Sequence, residues 1–226
     1  MPQVDINFEV LGESAASIQA RPKAGANVVT PDLQLQRKIW RISQILKQEF
    51  DCQDIVPGMN NLTVFFDPTL DSSELWLDRL ERLWNTTEAE SFQQREIDIP
   101  TYYGGEHGPD LQLVAEHCEL SIEEVVSLHS QTPYTVYFLG FQPGFAYMGG
   151  LPQRLNTPRR ADPRILVPGG SVGIGGSQTG IYPSQSPGGW QLIAWTPLCL
   201  FNPANEPASL LGPGDIVRFR IEGIDA

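Results

Sequence analysis

Between Phe138 and Pro203 glycines come in pairs, at Gly149-Gly150, Gly169-Gly170, Gly175-Gly176 and Gly188-Gly189, with Phe, Tyr, Trp, Val and Ile strung between them. Backbone of this composition must turn sharply or approach something closely, while short strands supply the walls. The segment therefore predicts a site built from loops on a β scaffold. Its charges are Arg154, Arg159, Arg160, Asp162 and Arg164, and the next ionisable side chain of the usual kind is Glu206. In a chain of net charge -12 this positive island marks a candidate anion site.

The same acidity argues against nucleic acid as a partner, since binding to phosphate backbone calls for an excess of Lys and Arg over a domain face. With 226 residues and a change of character near residue 100, the chain is expected to form two domains, 1–99 and 100–226. Cys52, Cys118 and Cys199 are odd in number and widely spaced, giving neither a disulfide framework nor a zinc site. A reducing cytoplasm is the expected location. MPQVDINFEV lacks the basic and apolar blocks of a leader, and no apolar run approaches the roughly 18 residues of a membrane span.

Residues 4–10 and 16–20 are predicted as strands, followed by a helix with Thr30 as cap and Pro31 in its first turn. Leu35, Ile39, Ile42 and Leu46 then recur at helical spacing. IVPGMNNLTVFFDP supplies two extended pieces around a Gly/Asn turn, and Asp71 or Ser72 starts a helix carrying Trp76, Leu80, Leu83 and Trp84 on one side. REIDIP closes this half as a strand ending at Pro100. Strands and two helices in this order suggest a small ferredoxin-like α/β sandwich. After TYYGGEHGPD come two short helices, the second announced by the Ser121/Glu124 capping box. From about Thr135 onward, β-branched and aromatic runs punctuated by turn residues predict a closed or nearly closed β barrel, making the chain α+β overall.

VPGGSVGIGGSQTG is not a nucleotide loop. It has no Lys for a P-loop, and Gln178 stands where a dinucleotide fingerprint needs its last Gly. A polar loop of Ser171, Ser177, Gln178 and Thr179 remains, whose amides could form an anion nest; tight turns between barrel strands are the competing explanation. Arg159, Arg160 and Arg164 carry forked guanidinium groups suited to phosphate or carboxylate, or else are solvated loop charges. His129 shares the apolar face of its helix with Val125 and Val126. It is a candidate general base or a packed histidine donating to a backbone carbonyl. Phe141, Phe145, Tyr147, Tyr182 and Trp190 either wall a pocket for a small flat ligand or fill the barrel core. Tyr103, Glu106, His107 and Asp110, set around glycines in YGGEHGPD, form a candidate functional loop, although starting a helix would explain Gly108, Pro109 and Asp110 by itself. No metal-ligand spacing is visible.

The strings FLGFQPGFAYMGGLP, TPRR, PRILVPGGSVGIGG, QTGIYP, SPGGWQLI and LLGPGDIVRF resemble the family that contains the B subunit of bacterial 5-oxoprolinase, the sporulation kinase inhibitor KipI and subunit 1 of allophanate hydrolase. The match is dense from about Tyr103 to Phe219, and RKIWRI and VPGMNNLTV upstream favour the 5-oxoprolinase branch. The resemblance implies a cyclophilin-like β barrel at the C-terminus behind a small α/β domain, and ATP-dependent opening of 5-oxo-L-proline to L-glutamate. ATP is the implied co-substrate, with Mg2+ accompanying it, and the 5-oxoprolinase C and A subunits are the implied partners in a hetero-oligomer. Binding to a histidine kinase and a urea or allophanate role are the alternatives. On this reading Arg159, Arg160 or Arg164 neutralises phosphate or substrate carboxylate, the Ser171–Thr179 loop orients the ring amide, and His129 moves a proton. Trp195 departs from the family by standing where relatives often carry a basic residue. Asn202 replaces a usual Asp and Gly169 a common Ala. A cyclophilin fold alone does not imply prolyl isomerase activity.

Overall fold

The computed structural model describes residues 4–22, 32–89 and 94–225, and the chain divides into two compact units, Met1–Gln93 and Gln94–Ala226. In the first unit, strands β1 (Val4–Val10), β2 (Ala15–Pro22), β3 (Asp54–Gly58) and β4 (Asn61–Phe65) form an antiparallel sheet in the order β1-β2-β4-β3. Helices α1 (Leu33–Glu49) and α2 (Ser73–Thr86) follow β2 and β4 respectively. Both β2 and β3 run antiparallel to β4, so they are parallel to each other and joined by α1, which makes a split β-α-β unit. The chain order is that of the ferredoxin-like sandwich with its last strand carried to the front.

The helical stripe read from the sequence is the buried one: Leu35, Ile39, Ile42 and Leu46 all pack into this core. Asp32 caps α1 by accepting from the Leu35 amide at 3.0 Å; Thr30 and Pro31 lie outside the described residues. Ser72 caps α2, whose Trp76 is fully buried and stacks on Phe66 with centroids 5.5 Å apart.

The second unit is a closed barrel in which β5 (Glu96–Gly104), β6 (Tyr134–Leu139), β7 (Ala146–Gly149), β9 (Ser171–Gly175), β10 (Gln178–Ile181), β12 (Gln191–Trp195) and β13 (Ile216–Asp225) join in the order β10-β7-β6-β13-β5-β12-β9. REIDIP belongs here rather than to the first unit. It opens β5, which runs parallel to the final strand from the Glu96–Ile216 pair to the Gly104–Asp225 pair. The boundary therefore falls at 93/94 instead of 99/100, because a partner at the far end of the chain leaves no trace in the local pattern of REIDIP. Helices α3 (Leu111–Cys118) and α4 (Ile122–Gln131) pack on the barrel with Val114, Ala115, Val125 and Val126 inward, and both halves of the Ser121/Glu124 capping box are made. Outside the barrel wall, β8 (Arg164–Val167) and β11 (Ser186–Gly188) pair as a two-stranded ribbon.

Candidate functional site

A cavity of about 300 Å³ opens on the barrel wall beside the ribbon. The β6–β7 turn brings Phe141 and Phe145 to it, β7 contributes Tyr147, the end of β10 leads to Tyr182, and Trp190 precedes β12. Phe145 sits at the centre, edge-on to Tyr182 at 5.2 Å and to Trp190 at 5.6 Å. These are the T-shaped contacts that ring quadrupoles favour. Glycine makes this packing possible: a Cβ on Gly175 would stand 2.6 Å from the Trp190 indole, and one on Gly188 would meet the Tyr182 hydroxyl. Phe141 is held at φ 67° on the rim and remains largely exposed. The five aromatics thus wall one pocket.

Arg159 and Arg160 also line this cavity, and they are not equivalent. The Arg159 guanidinium lies 5.7 Å from the centre of the Trp190 ring and makes no ion pair with a described residue. Burial pushes the Tyr147 and Tyr182 phenols up, with Arg159 pulling both partly back, so both are neutral hydroxyls at physiological pH.

Arg160 is instead turned toward Asp110. That buried carboxylate accepts from Arg160 Nη1 at 3.2 Å and from Arg164 Nη2 at 2.7 Å on the same oxygen, while its other oxygen takes the Leu192 amide at 2.7 Å. Asp110 stands at the head of α3 but makes no side-chain cap there. Its carboxylate is used to tie the arginine loop and β8 to β12. Two cations on one anion leave a net positive charge, and Arg164 Nη1 is buried without a partner.

Arg164 faces a second cavity of about 320 Å³, shared with Glu106, His107, Ser171, Leu192 and Trp195. Trp195 donates from Nε1 to the Gly169 carbonyl at 2.9 Å and stacks on His107 at 5.1 Å with 17° between the planes. The three candidate arginines are therefore divided, with Arg159 and Arg160 at one cavity and Arg164 at the other.

VPGGSVGIGGSQTG folds as the β9–β10 hairpin, with Gly176 at φ 65° in its turn. The backbone of 171–175 and 178–181 is engaged in the ladder, which is the strand-and-turn explanation of that string. Ser171 lines the second cavity, whereas Gln178 and Thr179 line neither. Thr179 points into the barrel, where its hydroxyl donates to the Gly173 carbonyl at 3.0 Å and so has only its lone pairs to offer His129 Nε2, also at 3.0 Å. His129 must then carry its proton on Nε2 and accept at Nδ1 from the Tyr103 hydroxyl at 2.7 Å. The ring is fully buried against Phe219, and burial pushes its pKa down to about 3. It is a neutral packing histidine bonded to two hydroxyls rather than to a backbone carbonyl, and it reaches neither cavity.

Asp110 is the residue of this region that sequence reasoning undervalued. A helix-start carboxylate is ordinarily spent on the helix, and Asp162, between Arg160 and Arg164 in the chain, looks the nearer partner, so nothing local points from the arginines to Asp110. Among the described residues no group of three or more His, Cys, Asp or Glu is disposed to hold a metal ion, and no helix is long and apolar enough to cross a membrane.

Residues 6–211 match the family described as carboxyltransferase domain, subdomain C and D. The chain is similar to the 5-oxoprolinase B subunit of Escherichia coli O157:H7, with 50% identity over 93% of this chain and 93% of that protein. It is also similar to the 5-oxoprolinase B subunit of Haemophilus influenzae (strain ATCC 51907 / DSM 11121 / KW20 / Rd), with 48% identity over 97% of this chain and 100% of that one. Among solved structures, a conserved uncharacterized protein from Pyrococcus horikoshii is 38% identical and superposes with a TM-score of 0.56, covering 96% of this chain and 98% of that one. The urea amidolyase of K. lactis superposes over 99% of this chain with a TM-score of 0.82; at 17% identity, and with this chain spanning 15% of its length, it shares the fold alone. A family match over most of the residues, and relatives near half identity from end to end, establish that the chain belongs to the family of 5-oxoprolinase B subunits, within the carboxyltransferase subdomain C and D group.

Proposed function

We propose that this chain is one component of an ATP-dependent 5-oxoprolinase that opens 5-oxo-L-proline to L-glutamate, and that it works only with separate A and C subunits. The observation that carries the reading is the first cavity, a small apolar box with one guanidinium, Arg159, that has no counter-ion among the described residues. A five-membered lactam is flat and largely apolar on its faces, which suits the Phe145, Tyr182 and Trp190 walls. Its carboxylate suits Arg159. The names of the relatives favour this reading over kinase inhibition or an allophanate role.

Amide resonance makes the ring carbon a poor electrophile, so the route begins with transfer of the ATP γ-phosphoryl to the lactam oxygen, releasing ADP. Water then adds to the activated carbon, the ring C–N bond breaks with nitrogen leaving as the protonated amine, and a second water releases phosphate. This chain's part is to hold the ring, fix its carboxylate and keep bulk water from the face it covers. Magnesium accompanies ATP in this scheme, and no step is routed through a metal site of this chain.

Reconstitution tests the assignment. With the A and C subunits present, adding this chain should produce ATP-dependent glutamate release from 5-oxo-L-proline, and omitting any one of the three should abolish it. Equal turnover with and without this chain would overturn the reading.

A further inference from the structure

The second cavity has the makings of a ligand site of its own. Side chains of opposite charge line it, Arg164 and the exposed Glu106. Arg164 shares Asp110 with Arg160, so its charge is only partly neutralised. The Ser171 hydroxyl, on a residue only 3% exposed, has no hydrogen-bond partner among the described residues, and neither do the Glu106 carboxylate and the His107 ring nitrogens. Trp195 and His107 stack into a flat wall that the Nε1 bond to Gly169 locks in place. Unspent polar groups converging on a cavity beside a rigid aromatic face are the usual composition of a small-molecule site.

We propose that this cavity binds a small carboxylic acid that also carries an N–H or ammonium group. The carboxylate lies toward Arg164 and Ser171, the nitrogen toward Glu106, and the carbon skeleton lies against Trp195. The ligand class includes both a lactam acid and an acidic α-amino acid, which are the two ends of the proposed reaction; in that respect the inference rests on the functional reading above. It differs from that reading in place, because Arg159 and the aromatic box take no part.

Calorimetric titration of the full 226-residue chain with L-glutamate, 5-oxo-L-proline and glutarate tests the site. At least one of the two nitrogen-bearing acids should bind saturably, and Ser171→Ala should weaken it about tenfold, the size of a lost hydrogen bond to a charged group. Glu106→Gln should weaken the same ligand by a similar factor and leave glutarate, which has no nitrogen, within about twofold. These titrations are run in an Arg159→Met background, which removes that cation from the first cavity, so that the binding read is that of the second. Whether L-glutamate or 5-oxo-L-proline shows the Ser171 dependence identifies the occupant. No saturable binding of either acid, or binding that ignores both Ser171→Ala and Glu106→Gln, would overturn the proposal. Failure of the 5-oxoprolinase reading looks different: turnover would be absent with all three components present, whatever the second cavity binds.

Discussion

The Tyr103 hydroxyl meets His129 Nδ1 at 2.7 Å in the middle of the barrel, with neither residue reaching a cavity. One hydrogen bond thereby links β5 to α4, and through Nε2 and Thr179 the same ring reaches β10 and β9. The histidine serves the packing of the barrel and is not available to substrate.

This sets a pH dependence of stability. In the unfolded chain His129 titrates near its ordinary value of 6.5, whereas in the barrel it stays neutral down to about 3. Its neutral form is the stabilised one, so its contribution is complete above pH 6.5 and is lost progressively as pH falls toward 3. Urea unfolding between pH 7 and 5 should show a slope approaching about 1.4 kcal/mol per pH unit from this group, and His129→Asn should flatten it. An unchanged slope in the variant would place the proton elsewhere.

Asp110→Asn should cost about 3 kcal/mol in the same assay, because it leaves the Arg160 and Arg164 guanidinium groups facing a neutral amide in a half-buried setting. Arg160→Met alone should cost much less, since Arg164 still compensates the carboxylate at 2.7 Å. Equal losses in the two variants would mean that the clamp carries no charge asymmetry.

Arg159→Met should leave the melting temperature unchanged within error and weaken binding of a small carboxylate in the aromatic cavity by about tenfold. The guanidinium makes no ion pair with a described residue, so its effect belongs to the ligand. A matching loss of stability would instead make it a structural cation on Trp190.

Gly175→Ala should act through Trp190. The added methyl would stand 2.6 Å from the indole in strand backbone that cannot retreat, at a cost of about 1–3 kcal/mol. Displacing that ring should also reshape the cavity, so affinity and stability should fall together in parallel binding and unfolding measurements.

Thiol labelling separates the cysteines. All three are free, Cys199 is exposed, and burial with the neighbouring Asp51 pushes the half-buried Cys52 up to about 11. Iodoacetamide at pH 8 should therefore modify Cys199 well before Cys52, as mapped by mass spectrometry. Faster labelling of Cys52 would contradict its surroundings.

Much of this architecture was legible beforehand because helices and strands write their period into the chain. Leu35, Ile39, Ile42 and Leu46 repeat with the helical turn, and Ser121 and Glu124 carry their cap in three residues; the aromatics between paired glycines left pocket wall and core both open, and Phe145, Tyr182 and Trp190 turn out to be buried and to line the cavity as well. Two features were not legible. REIDIP alternates as any strand does, and nothing in it says that its neighbour is β13 rather than the sheet of the first unit. The arginines Arg159, Arg160 and Arg164 look like one cluster on paper, yet a loop and a strand start direct them to different cavities.

The amino-acid sequence by itself determined a β-rich second half, two amphipathic helices in the first, and a positive, aromatic, glycine-paired segment. Those properties follow from local sterics and from the burial of apolar stripes, which act over a few residues at a time. Tertiary structure alone decided that Asp110 holds Arg160 and Arg164, that Arg159 has no ion-pair partner among the described residues, and that His129 is sealed within the barrel. Each of these depends on which distant strands close the barrel, and that choice is made by the packing of the whole unit rather than by any segment within it.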